Sequence, residues 1–191
     1  MSELTVREVT VGMIGTCCYI VGKSGRDDCV VIDPGDESDR IRKAAEGRRI
    51  AAILLTHGHF DHIGGVKTLL EEGTRVFIHP KDREMLQNPV LNASQGLLGR
   101  KITAPDDADP VREGEKLDLA GMEISVYHTP GHTPGSVCYQ IGRELFTGDT
   151  LFRHGWGRTD LPGGNAAEMM ASLRRILPIA REMNVHPGHE D

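Results

Sequence analysis

The sequence predicts an α+β fold in which two β-sheets pack face to face and helices cover their outer surfaces. Three observations carry that expectation. Each half of the chain, roughly 1–110 and 111–191, reads as a run of short strands followed by helices. The 191 residues fit one ordinary domain with a sizeable core. No short-period repeat or low-complexity segment interrupts the pattern.

The first third alternates as strands do, with Leu4, Val6, Glu8 and Thr10 on one face. Cys18 to Val21 and Cys29 to Ile32 follow, the second closed by Asp33-Pro34-Gly35. Asp36 to Gly47 has helical spacing, with Ile41, Ala44 and Ala45 inward and Gly47 past the end. Ile50 to Leu55 is a continuous apolar run, the pattern of a strand buried on both faces. Phe60 to Glu72 carries Ile63, Val66, Leu69 and Leu70 at helical spacing and stops at Gly73. With a strand at Arg75 to Ile78 this makes a β-α-β unit over residues 50–78, after which Pro80 opens a short helix. From Asn88 to Asp109 the periodicity fades and Gly, Pro and Asp accumulate, which predicts a mobile loop able to roof a site. A second meander covers Leu117 to Leu119, Met122 to Tyr127, Ser136 to Ile141 and Glu144 to Phe146. Asn165 then caps a helix through Leu177, with Met169, Met170, Leu173, Ile176 and Leu177 as its apolar face, and the chain closes through Met183 to His186.

Composition removes several classes of function. With 22 Lys plus Arg against 28 Asp plus Glu, the net charge of −6 gives no global basic field to hold nucleic acid or an anionic membrane. Met1 to Gly12 lacks a basic stretch followed by an apolar run, so no signal peptide is visible. No window approaches the roughly 20 apolar residues that span a bilayer. The expectation is a soluble, cytoplasmic protein with neither nucleic acid nor membrane as partner, and its oligomeric state stays open. Cysteines 17, 18, 29 and 138 form no C-x-x-C pair and read as buried thiols, Cys17 and Cys18 pointing to opposite faces of a strand.

The nine histidines carry more information, because most of them cluster beside Asp and Gly. Residues 56–62 read Thr-His-Gly-His-Phe-Asp-His, directly after the apolar strand. Imidazole and carboxylate suit a borderline cation such as Zn²⁺, with Fe and Mn also fitting, and no cysteine stands among them to build a thiolate site. In an irregular turn His57 and His59 can converge on one ion while Asp61 and His62 face a second. One segment cannot close two sites, and three further candidates stand at strand exits. His132 lies in the Pro-Gly turn Thr129 to Ser136, Asp149 in Phe146 to Thr150, and His189 in His186-Pro-Gly-His189.

In these residues the sequence resembles the metallo-β-lactamase superfamily of metal hydrolases. The resemblance implies an αββα four-layer sandwich with the site at one edge, between the sheets. It assigns His57, His59 and His132 to a first divalent ion and Asp61, His62 and His189 to a second, with Asp149 as the bridge. It also puts Asp33 beside the site as a carboxylate that orients ligands. His79, His128, His154 and His186 are left with supporting or surface roles. Two cations sharing Asp149 can share a water whose pKa falls from 15.7 toward about 7, so that hydroxide attacks a carbonyl while Asp61 orients it or accepts its proton.

Gly148 to Phe152 and Gly157 to Gly164 look like the small glyoxalase II-like, hydroxyacylglutathione hydrolase-like branch of thioesterases, which implies a small-molecule acyl substrate. Arg158 either pairs with Asp160 or offers its fork to a substrate carboxylate. Trp156 is a candidate aromatic platform or packed lid, and Arg153, Arg100 and Lys101 are the other cations that could meet an acidic substrate. Larger glyoxalase II enzymes follow the last metal histidine with a helical region that supplies much of the glutathione site. This chain stops at Asp191, so glutathione recognition by that route is not expected. Cys17 stands where relatives often carry Asn. The rival enzyme is a persulfide dioxygenase, whose single iron would map to His57, His132 and Asp149. A non-catalytic metal-binding protein is the rival of a different class.

Overall fold

The computed structural model describes residues 3–190. Its first sheet has six strands, β1 (Leu4–Val11), β2 (Thr16–Lys23), β3 (Asp28–Ile32), β4 (Arg49–Leu54), β5 (Arg75–Ile78) and β6 (Asp109–Pro110), adjacent in chain order. The β1-β2-β3 meander is antiparallel, and β3 to β6 are parallel. Parallel neighbours need a crossover, and α1 (Ser38–Ala44), α2 (Phe60–Ile63) and α3 (Val66–Leu69) lie in those connections. The second sheet is ordered β11-β10-β9-β8-β7, built from β7 (Lys116–Leu119), β8 (Met122–His128), β9 (Val137–Ile141), β10 (Glu144–Gly148) and β11 (Asn184–Pro187). It is antiparallel except for β10 and β11, which are joined through α5 (Ala166–Ala180).

Three apolar layers fix the stacking. Val31, Ile53 and Ile78 on one face of the first sheet pack with Ile41 of α1 and Val66 and Leu69 of α3. The opposite face, with Val30, Leu54 and Phe77, meets Ile124, Tyr139 and Phe146 of the second sheet. The far side of that sheet, through Cys138 and Leu145, packs with Met169, Leu173 and Ile176 of α5. The result is the expected helix-sheet-sheet-helix order. Cys18 belongs to the first layer and Cys17 to the middle one, as alternation along a strand requires, and all four cysteines are free and buried.

Several elements depart from the sequence pattern. The helix expected over Phe60 to Glu72 is two short pieces broken at Gly64-Gly65. There the chain presses against the Pro34-Gly35 turn: Gly65 N–H donates to Pro34 O at 2.7 Å, and a Cβ on Gly64 would stand 2.2 Å from Gly35 O. The helix expected from Asp36 covers only Ser38–Ala44, because Glu37 has left-handed backbone (φ 48°). Pro80–Leu86 is a 3-10 helix. The loop from Asn88 contains α4 (Ser94–Leu98) and is tied down by buried Asn92, whose amide donates to Met85 O and Ile102 O at 2.9 Å each. Asn165 caps α5 as expected, accepting from Ala167 N and Glu168 N. That helix runs past Pro178 to Ala180, since a proline in the last turn gives up only one donor. Among the described residues no helix is long and apolar enough to cross a membrane.

Candidate metal centre

Every ligand candidate lies at one edge of the sandwich, in a loop or, for Asp61 and His62, in the short helix α2. β4 ends at Leu54, and the chain turns through His57 and His59 into α2, which carries Asp61 and His62 in its first turn. His132 sits between β8 and β9, Asp149 follows β10, and His189 follows β11. Strand ends are the places where backbone hydrogen bonding lapses and side chains from both sheets can meet.

They do meet. His57, His59 and His132 bring ligand atoms within 4.8 Å of one another, and so do Asp61, His62 and His189. A third group of the same reach is His57, His62 and Asp149. Asp149 lies between the two triads, its Oδ2 3.3 Å from His132 Nε2 and 3.6 Å from His189 Nε2, its Oδ1 3.4 Å from His62 Nε2. His59 Nδ1 faces His132 Nε2 at 2.9 Å, a separation at which two imidazoles share a proton or a cation.

Residues fit a metal on two further counts. His57 Nε2, His59 Nε2 and Asp149 Oδ1 are buried with no hydrogen-bond partner among the described residues, and a buried polar atom of that kind costs free energy unless something else satisfies it. The electrostatics agree. Burial, then the neighbouring histidines, drives His57 well below the ordinary histidine range and His59 to about 3, so both rings are neutral and able to coordinate. Burial opposes charge on His62, yet Asp61, Asp33 and Asp149 outweigh it and hold that ring protonated. Burial likewise opposes charge on Asp149, and His132 with His62 brings it down to about 2. Three carboxylates around one buried imidazolium mark a position where positive charge belongs.

A supporting shell aims these ligands. Thr56 Oγ1 donates to Asp33 Oδ2 at 2.6 Å and lies 3.0 Å from His57 Nδ1, so it receives the proton of that nitrogen and leaves Nε2 for the site. The same Asp33 oxygen is 3.0 Å from His62 Nδ1. Asp33 therefore orients one ring from each triad, its own position fixed by accepting from Thr56 N at 2.8 Å. His132 Nδ1 is 2.7 Å from Arg158 O, which turns Nε2 inward. Gly188 comes so close that a Cβ there would stand 2.2 Å from Asp149 Oδ1.

Other supporting residues escaped the sequence reading. Asp82, buried in the 3-10 helix, accepts from Gly58 N at 3.0 Å, Thr133 Oγ1 at 2.6 Å and Gly135 N at 2.7 Å. Flanked by Lys81 and Arg83, it looks in sequence like surface charge. Thr16 Oγ1 donates to Asp61 Oδ2 at 2.8 Å. Tyr19 and Tyr139 donate from their hydroxyls to Pro187 O and Leu55 O, crossing between the sheets. Two main-chain bonds cross as well, Cys17 N to Gly188 O and Val137 N to Thr56 O, both 2.8 Å.

A cavity of ≈ 370 Å³ opens over the cluster, with His59, Asp61, His132, Asp149 and His189 in its floor and Ile14, Phe60, Leu97, Phe152 and Leu161 in its walls. Arg158 also lines it, but the guanidinium is engaged with Asp160 through two 2.7 Å bonds. Trp156 is 54% exposed, and neither Trp156 nor Arg153 lines this cavity. Arg100 borders a smaller neighbouring cavity beside Asp61.

An αββα sandwich whose edge loops bring five imidazoles and two carboxylates together is the architecture of a metallo-hydrolase. The family model described as the metallo-beta-lactamase superfamily matches residues 12–189, and the chain belongs to that superfamily. Its members bind divalent metals, typically two. Among curated relatives, the probable metallo-hydrolase YqgX of Bacillus subtilis (strain 168) is 35% identical over 96% of this chain and 89% of its own length. The hydroxyacylglutathione hydrolase GloC of Haemophilus influenzae (strain ATCC 51907 / DSM 11121 / KW20 / Rd) is 34% identical over 85% of this chain and 80% of its own. Among solved structures, that of BLEG-1 B3 metallo-beta-lactamase superposes with a TM-score of 0.90 at 37% identity, covering 98% of this chain and 92% of that one. TTHA1623 in a di-iron-bound form gives 0.85 at 38% identity, covering 97% and 93%.

Proposed function

We propose that the protein hydrolyses a thioester or related acyl bond of a small molecule with the help of two divalent ions. The observation that carries this reading is Asp149, within 3.6 Å of ligand atoms from both triads on the floor of an open cavity. His57, His59 and His132 would hold one ion, Asp61, His62 and His189 the other, and Asp149 both. Zinc is the expected occupant, and imidazole with carboxylate also accepts iron or manganese. Ions so held supply a hydroxide equivalent near neutral pH and polarise a carbonyl.

The chain's own residues supply the rest. Asp61 faces the cavity, its Oδ2 fixed by Thr16 and 3.2 Å from both His62 and His189. Although burial opposes it, those histidines keep its carboxylate ionised, so Asp61 is a hydrogen-bond acceptor that can orient water. Water's oxygen joins the acyl carbon, the C–S bond breaks, and the departing thiolate takes the proton. No cysteine competes as nucleophile: burial raises the thiols of Cys29 and Cys138 to about 11 and that of Cys17 to about 12. Similarity to the hydroxyacylglutathione hydrolase supports acyl transfer to water as the reaction. The Arg158 to Asp160 pair makes that arginine a brace for the rim.

The test is a panel of acyl-glutathione, acyl-CoA, lactone and β-lactam substrates on protein whose metal content has been measured. Thioester turnover that needs a filled metal site is the expected result. One iron per chain with oxygen uptake dependent on glutathione persulfide would make it a dioxygenase, and no turnover at full metal loading would make it a binding protein.

A further inference from the structure

We propose that an uncharged, straight acyl chain of the substrate lies in an apolar groove that runs from the metal cluster to Pro162. This rests on the acyl-hydrolase reading above. The wall of the cavity over the cluster continues into a second cavity of ≈ 430 Å³, and the two share Ala93, Leu97 and Leu161. Val90 and Pro162 extend the lining away from the metal. Each cavity falls in the size range of small-molecule sites.

The groove is held open by polar anchoring on its other side. In α4 the buried residue is Ser94, whose N–H donates to buried Asn92, while Leu97 stays 52% exposed and Val90 58%. The segment thus docks through amide and hydroxyl groups and turns apolar side chains outward, the reverse of an ordinary amphipathic helix. Continuous apolar surface beside polar catalytic groups marks a binding groove.

Charge selects the occupant. Among the described residues, Arg158 is the one Lys or Arg lining either cavity, and its guanidinium is taken by Asp160. A carboxylate or phosphate carried along this path would lose its hydration with no free cation to receive it. A hydrocarbon chain gains by burial, at about 0.8 kcal/mol per CH₂, up to about fourfold in affinity for each methylene.

Two thioester series test this on the metal-loaded protein. One lengthens the acyl group from acetyl to decanoyl on N-acetylcysteamine, a small uncharged thiol, and the other keeps acetyl and lengthens an alkanethiol. The expected result is a kcat/KM that climbs about two- to fourfold per methylene along the acyl series until the groove is filled, and stays level along the thiol series. Leu97→Asn with Leu161→Asn removes the climb. Calorimetric titration with butanoate through decanoate gives a reading independent of turnover, its affinity rising in the same steps and levelling in the double variant. A flat acyl series, a climb along the thiol series, or carboxylate affinity indifferent to length overturns the inference. If no thioester is turned over, the hydrolase reading fails, and the carboxylate titration still decides whether the groove takes a chain.

Discussion

Asp82 and Thr133 meet in a 2.6 Å hydrogen bond that ties the 3-10 helix to the loop bearing His132. Asp82 also receives Gly58 N–H, between His57 and His59, and Gly135 N–H, beyond His132. One carboxylate thus sets the spacing of three imidazoles without touching any of them. Asp82→Asn turns an amide N–H toward a donor and is expected to lower unfolding free energy by about 1–3 kcal/mol, the cost of an unsatisfied buried group. Urea denaturation measures this. Metal titration of the same variant should show the ion held by His57, His59 and His132 weakened more than its companion.

Asp33 serves both triads, through Thr56 to His57 and directly to His62. Outer carboxylates of this kind are worth about 10–100-fold in metal affinity or activity. Asp33→Asn is therefore expected to weaken both ions by that order, as read by competition with a chromophoric chelator. Loss confined to one ion would contradict the shared anchor.

Asp149→Ala is expected to lose both ions and all turnover, whereas His189→Ala, at the more exposed end of the cluster, keeps one ion. Elemental analysis after dialysis separates the two cases, and two ions retained without Asp149 would rule out bridging. Chelation of the parent protein should also lower its melting temperature, since an ion present at 100 times its Kd contributes about 2.7 kcal/mol.

His79 stacks on His128 at 4.1 Å and caps the 3-10 helix by accepting from Lys81 N. Burial, then His128, Lys81 and Arg112, lowers its pKa from 6.5 to about 4. Between those values the unfolded chain binds more protons than the folded one, so stability rises with pH. The contribution is complete above pH 6.5 and disappears as pH falls through about 4. His79→Asn keeps an acceptor for Lys81 and removes the titration, and its unfolding midpoint should vary less over that interval.

Much of this was legible in the sequence because the informative signals are local. Alternation in β1 to β3, the apolar run of β4 and the Asn165 cap each arise from neighbouring residues, and the Thr56 to His62 segment packs four candidate ligands together. The break at Gly64-Gly65 was not legible, since its cause is the approach of Pro34 and Gly35, some thirty positions earlier. Nor was Asp82, whose partners come from loops that meet only after the two sheets stack. Substrate contacts suffered most: an exposed tryptophan and a basic residue carry no sequence mark to say which side of a rim they face.

The two main-chain bonds and two tyrosine hydroxyls that cross between the sheets all lie on the metal-bearing margin. Bonds between the sheets are thus concentrated at that margin, while at the far end of β2 Lys23 Nζ donates across to Gly121 O at 3.1 Å. The amide hydrogens of Cys17 and Val137 are therefore expected to be among the slowest to exchange with solvent, which hydrogen exchange measures. An ion arriving from solution meets a seat whose halves are already locked together, so its entry need not await a rearrangement of the protein.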